Sequence, residues 1–159
     1  SVNIVDEQPE SDKIIEDLYK KGKISENFSY GIGAFAYYRR IVEIKIDELL
    51  NKIKEFFPEN KKREYETVLE QVKKEKIVEK KIEIAKDVIS DEIISNNPLK
   101  LLYKILSEGI HKLSDEECLK YASSTRELLI LLIKEIENKK ENRNRLLNAQ
   151  KTIEKRYSS

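Results

Sequence analysis

Two helix-start signals in the second half of the chain constrain the fold more than any other feature. One starts the helix that leads into a short corner, and the other directly follows that corner. Asn97 suits the N-cap position, and Pro98 suits the first helical position, where its missing N–H costs nothing. Ser114 and Glu117 form a capping box for the helix that follows. The sequence therefore predicts two helices joined by a corner that contains His111, the only histidine of the chain.

Apolar residues recur at three- and four-residue steps along most of the chain, which is the spacing of one helix face. One such stripe precedes the corner and consists of Leu99, Leu102, Leu106 and Ile110. Gly109 is expected either to end this helix or to allow a close approach. Four glycines and three prolines leave few breaks, which favours long helices over a sheet. We predict an all-α bundle of about four to five helices with a long C-terminal helix.

Breaks in the apolar pattern give the expected helix bounds. A short first helix is predicted over about residues 11–22. A long helix is predicted over about residues 31–57, because Pro58 stops it. The pattern changes phase within residues 61–94, which predicts two helices, or one helix broken near residues 74–76.

The organisation along the chain is predicted from composition. Residues 1–10 are polar and contain a proline, so they are expected to form a linker. Residues 11–137 form the predicted bundle, and residues 138–159 form a charged helical extension, where hydrophobicity falls but helix-forming residues persist. The chain starts with Ser1 and contains no methionine, so a region upstream of Ser1 is expected.

Charge and cysteine content limit the class of protein. Charged residues make up 38% of the chain, yet the formal net charge is +1, so no overall field steers the chain towards nucleic acid. No apolar run is long enough for a membrane span, and a single cysteine fits a reducing compartment. We therefore expect a cytoplasmic protein that does not contact a membrane.

Several patterns have a structural explanation that outweighs a chemical one. The run Gly31-Ile-Gly33-Ala-Phe-Ala36 matches a dinucleotide fingerprint, but no strand precedes it, so its glycines are expected to allow close packing or a turn. One histidine and one cysteine cannot build a zinc site, and the acidic residues 115–117 suit a first helical turn. Cys118 is expected to be a buried, unreactive thiol. The sequence thus predicts neither a cofactor nor a metal.

Two arginines interrupt apolar stripes. Arg39 lies on the apolar face of the predicted long helix, where its guanidinium must reach an anion, a cluster of carbonyls or the surface. Glu43 follows one turn later, at the spacing of an i,i+4 ion pair. Arg126 interrupts the stripe of the last helix in the same way. We predict that Arg39 points inward or to the rim of a cleft and pairs with Glu43 or another acid; the alternative is that it extends to solvent along the core's edge.

Two segments resemble the helical domains of the HEPN superfamily, including uncharacterised bacterial relatives at its edge. One is Gly31–Glu43, with its Arg-Arg-x-x-Glu pattern, and the other is Leu102–Cys118, which contains the histidine corner. Together they bracket about residues 11–137. The resemblance implies a helical bundle that often dimerises and, in many members, a metal-independent RNase of a defence system. In those members an arginine stands four to six residues before a histidine.

The chain departs from that catalytic motif. The residues four to six positions before His111 are Ser107, Leu106 and Ile105, and none of them is arginine. The first hypothesis is therefore a non-enzymatic interaction or dimerisation module of a larger bacterial protein with a defence or stress role. This hypothesis predicts that the purified chain does not cleave RNA.

An RNase remains the alternative hypothesis. In it, His111 moves the proton, and the charge of the phosphate is balanced from another helix by a displaced arginine, for which the candidates are Arg39 with Glu43, Arg40 and Arg126. RNA is a partner of the chain only in this hypothesis and in a third one, a basic C-terminal helix that binds nucleic acid.

The last predicted helix supplies the expectation about assembly. Its tail carries only a thin apolar stripe, which consists of Leu146, Leu147 and Ile153. Apolar surface of this kind is commonly covered by a second chain. We therefore predict a homodimer, with another protein as a further partner.

Overall fold

The computed structural model describes residues 10–86 and 98–158, and most of these residues are helical. The predicted linker lies outside this part of the chain except for Glu10, and so do Asn97 and residues 87–94. The α-helices, in chain order, are α1 Glu10–Asn27, α2 Gly31–Ile53, α3 Glu59–Lys74, α4 Val78–Lys86, α5 Leu99–His111 and α6 Asp115–Tyr157.

The predicted all-α class and the long last helix are confirmed. Among the described residues there are six α-helices, one short 3-10 helix at Lys54–Phe56 and no strand. The predicted break near residues 74–76 is also confirmed, and it raises the helix count above the expected four to five. The backbone N–H groups of Lys76 and Ile77 each donate to Glu75 Oε1 at 3.0 Å. The Glu75 side chain therefore binds the backbone of the break itself.

The first helix is longer than the sequence predicted. α1 does not end near Gly22 but continues to Asn27, and the chain then turns at Ser29, whose φ is 63°. Gly22 has a packing role, because a Cβ at this position would overlap the ring of Tyr38 on α2. The expectation that Gly22 ends the helix was wrong. This glycine is required for close packing against a neighbouring helix, and it does not stop α1.

The chain divides into two compact units. The first unit comprises the described residues up to Ile46 together with Pro98–Ile130. The second comprises the described residues 47–86 together with residues 131–158. Each unit has its own buried apolar residues. All the residues of the candidate site described below belong to the first unit.

Glycines bring the helices of the first unit into close contact. A Cβ at Gly31 would overlap the backbone of Asp115 and the side chain of Cys118, so the start of α2 lies against the start of α6. A Cβ at Gly109 would overlap the ring of Phe35, so α5 approaches α2 closely at that point. Of the two expectations for Gly109, close approach is the one that the structure shows, since α5 continues to His111.

The second unit is organised around a buried tyrosine of α3. Tyr65 is fully buried, stacks on Phe57 with ring centroids 4.3 Å apart, and donates a hydrogen bond to the carbonyl oxygen of Leu50 at 2.7 Å. Burial raises the pKa of the Tyr65 hydroxyl above its ordinary value. In the same unit, Lys81 Nζ lies 2.8 Å from Asp47 Oδ1. The hydroxyl of Tyr65 thus keeps a partner although it is removed from water.

Helix α6 runs without a break through Asn138, where the charged extension was predicted to begin, and ends at Tyr157. Every residue from 144 to 158 is exposed. No helix in the described part of the chain combines the length and apolar character needed to cross a membrane.

Candidate functional site

Arg39 of α2 and His111 of α5 lie next to each other. The distance from Arg39 Nη1 to His111 Nε2 is 3.5 Å, although 72 residues separate the two in the sequence. This is the outer limit of a hydrogen bond, so the contact is weak. Nε2 accepts a hydrogen bond from the guanidinium only when the imidazole is neutral and carries its proton on Nδ1.

Tyr103 fixes the orientation of Arg39. Arg39 Nη2 donates to the Tyr103 hydroxyl at 3.1 Å, and the guanidinium carbon lies 5.4 Å from the centroid of the tyrosine ring. Tyr103 is itself buried and belongs to α5, two turns before His111. The spacing of eight residues places Tyr103 and His111 on neighbouring parts of one helix face. One face of α5 therefore presents both partners to Arg39.

Glu43 completes the cluster from α2. Its Oε1 lies 3.2 Å from Arg39 Nε, and both side chains are about one quarter exposed. The predicted pairing of Arg39 with Glu43 is therefore confirmed. Arg39 Nε makes no aligned hydrogen bond to another described residue, so the pair is held by charge. Arg40 Nη1 also donates to Glu43 Oε2, at 3.2 Å.

The corner that carries His111 has the predicted capping box. The Ser114 N–H donates to Glu117 Oε2 at 3.0 Å, and the Glu117 N–H donates to Ser114 Oγ at 3.2 Å. His111 is the last residue of α5 and is exposed, and α6 starts at Asp115. The capping box fixes the entry into α6, and the histidine before it is open to solvent.

Arg126, the second arginine on an apolar stripe, belongs to a separate cluster. Arg126 Nη1 donates to Glu26 Oε2 at 3.1 Å, and the same carboxylate oxygen accepts a hydrogen bond from the Tyr38 hydroxyl. Burial, followed by the hydrogen bond to Glu26, raises the pKa of Tyr38. The cluster joins α1, α2 and α6, and its tyrosine is fully buried. The structure therefore does not bring Arg126 to His111, and of the three candidate arginines Arg39 is the one in contact with the histidine.

The other sequence candidates have structural roles. Cys118 is buried, as predicted, and its Sγ lies 3.4 Å from the Gly109 carbonyl oxygen. Burial, followed by the charge of Asp115, raises the pKa of the thiol and favours the unreactive form. Asp115 also accepts a hydrogen bond from the Ile32 N–H, a role that its place in a first helical turn did not suggest. No group of three or more potential metal ligands occurs among the described residues.

Tyr103 is the member of the site that the sequence analysis missed. It lies beside the apolar stripe of α5, where an aromatic residue is expected in the core. Its hydroxyl group was the available indication of a role beyond packing, because the hydroxyl of a buried tyrosine needs a polar partner. Nothing in the sequence identifies that partner as Arg39, which lies 64 residues away.

The cluster combines a fixed cation with an accessible acid–base group. Arg39 can donate to a phosphate oxygen, and the imidazole of His111 is a side chain that can act as an acid or a base. Comparisons of the chain with protein-family models, with curated proteins and with solved structures find no match. The arguments about function therefore depend on the geometry of these side chains.

Proposed function

We propose that this chain is a HEPN-like helical domain that cleaves RNA without a metal, with His111 and Arg39 as its catalytic residues. The proposal depends on one observation, the 3.5 Å separation of Arg39 Nη1 and His111 Nε2. The argument against catalysis was the missing arginine four to six residues before His111. Arg39 places a positive charge next to His111 from another helix, and this contact supports catalysis despite the missing motif.

The chemistry assigns one task to each side chain. Neutral His111 accepts the proton of a ribose 2′-hydroxyl, and the 2′-oxygen attacks the adjacent phosphorus. The bond from phosphorus to the 5′-oxygen breaks, and this oxygen takes a proton from solvent. Arg39 donates to the phosphate oxygens, whose charge grows in the transition state. The products are a 2′,3′-cyclic phosphate and a 5′-hydroxyl. Tyr103 and Glu43 act through Arg39 and are positioning residues.

A cleavage assay on single-stranded RNA in the presence of a chelator tests this proposal. We expect the wild type to produce 2′,3′-cyclic phosphate ends, and His111→Ala to lower the rate by about 100-fold or more. Arg39→Lys keeps the charge but loses the planar fork of donors that can meet phosphate and tyrosine in fixed directions, so it should also be impaired. Lys112→Ala, at the neighbouring exposed position, is the matched control. The absence of cleavage by folded wild-type protein contradicts the proposal.

A second candidate function is a non-enzymatic interaction module, and the end of α6 favours it. Leu146, Ile153 and Tyr157 are 67%, 62% and 78% exposed, and we call these three residues the α6 stripe. Neighbouring Leu147 is 40% exposed. An isolated helical segment of about 15 residues is only marginally stable in water, so contact with another chain would stabilise this one.

The mass of the protein in solution tests whether a second copy covers the α6 stripe. A dimer mass in the wild type that falls to a monomer mass in Leu146→Ser/Ile153→Ser would support the homodimer predicted from the sequence. A monomer mass at high concentration would refute that homodimer. Leu131→Ser, a change at another exposed apolar position of α6, serves as the control.

A further inference from the structure

The α6 stripe lies beside the buried face of α6. At 3.6 residues per turn, its three residues lie roughly a quarter of the circumference away from Ile136 but only about 20–60° from Leu132. Leu132 and Ile136 are almost fully buried, whereas the three residues of the stripe are exposed. The α6 stripe is therefore an exposed apolar border of the core face. Folding of the described chain leaves it uncovered.

Basic residues outnumber acidic residues in the segment that carries the α6 stripe. Within residues 144–158 the only carboxylate is Glu154, and the cations are Arg145, Lys151, Lys155 and Arg156. None of these four cations has an ion pair among the described residues. By helical position, Arg145 and Arg156 follow the same edge of the stripe. This edge thus carries two arginines that form no ion pair with a described residue.

We infer that the α6 stripe docks an amphipathic helix of another protein, one with an apolar face bordered by acidic residues. The inference rests on the second function proposed above and names its partner class. Leucine, isoleucine and tyrosine in helical register suit a helix that lies alongside α6. Carboxylates at the edge of that helix would form charge-assisted hydrogen bonds with Arg145 and Arg156.

Charge argues against a second copy as the occupant. Residues 144–158 contain four cations and one carboxylate, so each copy would bring a net charge of +3 to a contact between two of these segments. In an antiparallel pairing, the edge that carries Arg145 and Arg156 would face the same edge of the second copy. In a parallel pairing, that edge would face Glu154, which is a single carboxylate against two arginines. Facing like charges oppose self-association, whereas an acidic helix meets the same arginines with opposite charge.

Fluorescence anisotropy with three labelled synthetic peptides tests the inference on the full chain. Each peptide is a helix with leucines along one face, and its edges carry glutamate, glutamine or lysine. We expect the glutamate peptide to bind at least about tenfold more tightly than the glutamine peptide, which corresponds to about 1.4 kcal/mol. The lysine peptide should bind most weakly of the three.

Two variants separate the apolar from the charged contribution, and circular dichroism confirms that each is helical. Leu146→Ser/Ile153→Ser should lose binding of the glutamate peptide, whereas the control Leu131→Ser should retain it. Arg145→Glu/Arg156→Glu should reverse the preference, so that the lysine peptide binds more tightly than the glutamate peptide. A reversal of this kind requires that these arginines contact the edge of the bound helix.

Several outcomes would overturn the inference, and they differ in what they leave standing. Equal binding of the glutamate and glutamine peptides rejects an acidic partner but preserves α6 as an interaction surface. A homodimer that Leu146→Ser/Ile153→Ser dissociates does the same, because a second copy is then the occupant. Single-stranded RNA that binds Arg145 and Arg156 independently of Leu146 and Ile153 rejects a protein partner. The absence of any peptide binding, together with a monomer mass, rejects both the inference and the interaction function.

Discussion

Asp115 Oδ1 accepts a hydrogen bond from the backbone N–H of Ile32 at 2.9 Å, across 83 residues of sequence. Ile32 belongs to the first turn of α2, where backbone N–H groups have no partner within the helix. Asp115 itself begins α6, so one side chain caps α2 from the start of another helix. Gly31 permits this approach, because a side chain there would overlap the Asp115 backbone.

Replacing Asp115 should therefore destabilise the fold through the start of α2. We expect Asp115→Ala to lower the free energy of unfolding by about 1 kcal/mol, the usual cost of a lost N-cap. Urea denaturation followed by circular dichroism measures this change. Glu116→Ala is the matched control, because Glu116 shares the first turn of α6 but has no hydrogen bond to a described residue. Equal losses in both variants would show that the helix macrodipole, and not the cap, accounts for the effect.

Replacing two glycines by alanine should change the stability of the chain in opposite directions. At Gly109 a Cβ would overlap the Phe35 ring, so Gly109→Ala should destabilise the chain by about 1–3 kcal/mol. At Gly33 the nearest atoms to a new Cβ are 3.7 Å away, which is an ordinary contact. Gly33→Ala should therefore stabilise α2 by up to about 1 kcal/mol through helix propensity. Thermal denaturation of the two variants measures both changes, and a loss of stability in Gly33→Ala would contradict this account.

The break between α3 and α4 should depend on pH through Glu75. The hydrogen bond from Ile77, ahead of that from Lys76, holds the pKa of Glu75 below its usual value of 4.5. A pKa that is lower in the folded state means that the stabilisation is present above the unfolded value and is lost as pH falls through the folded value. The difference in unfolding free energy between the wild type and Glu75→Ala should therefore be largest near neutral pH and shrink in acid.

Urea denaturation at a series of pH values measures this difference. Glu70→Ala provides the control, because Glu70 is an exposed carboxylate of α3 without a hydrogen bond to a described residue. Its effect on stability should show no comparable loss in acid. A difference for Glu75→Ala that is constant with pH would mean that the ionised carboxylate does not stabilise the break.

Interactions between residues close in sequence could be predicted, and those between distant residues could not. The capping box of Ser114 with Glu117 and the pairing of Arg39 with Glu43 depend only on helical spacing. The contacts of Arg39 with Tyr103 and His111 depend on which helices pack together, and the local pattern contains no information about that.

The length of α1 illustrates the same limit. Gly22 follows a run of helix-forming residues, so the local pattern identified it as a C-terminal signal. Its actual constraint comes from the ring of Tyr38 on α2. Glu26 similarly lies beyond the predicted end of the first helix, yet it is the carboxylate that binds Arg126, 100 residues further along the chain.

Removing the hydroxyl of Tyr103 tests how Arg39 is held beside His111. Tyr103→Phe keeps the aromatic ring next to the guanidinium but removes the acceptor of the 3.1 Å hydrogen bond. We expect the free energy of unfolding to fall by about 1 kcal/mol, because a partly buried donor loses its partner. Tyr121→Phe, at an exposed tyrosine of α6, should change it by less than about 0.5 kcal/mol.

In the RNA assay, Tyr103→Phe should lower the cleavage rate without shifting its pH profile, since the proton is moved by His111 and not by Tyr103. An unchanged rate in a variant with reduced stability would assign Tyr103 to the fold alone, and a shifted pH profile would make its hydroxyl part of the proton transfer.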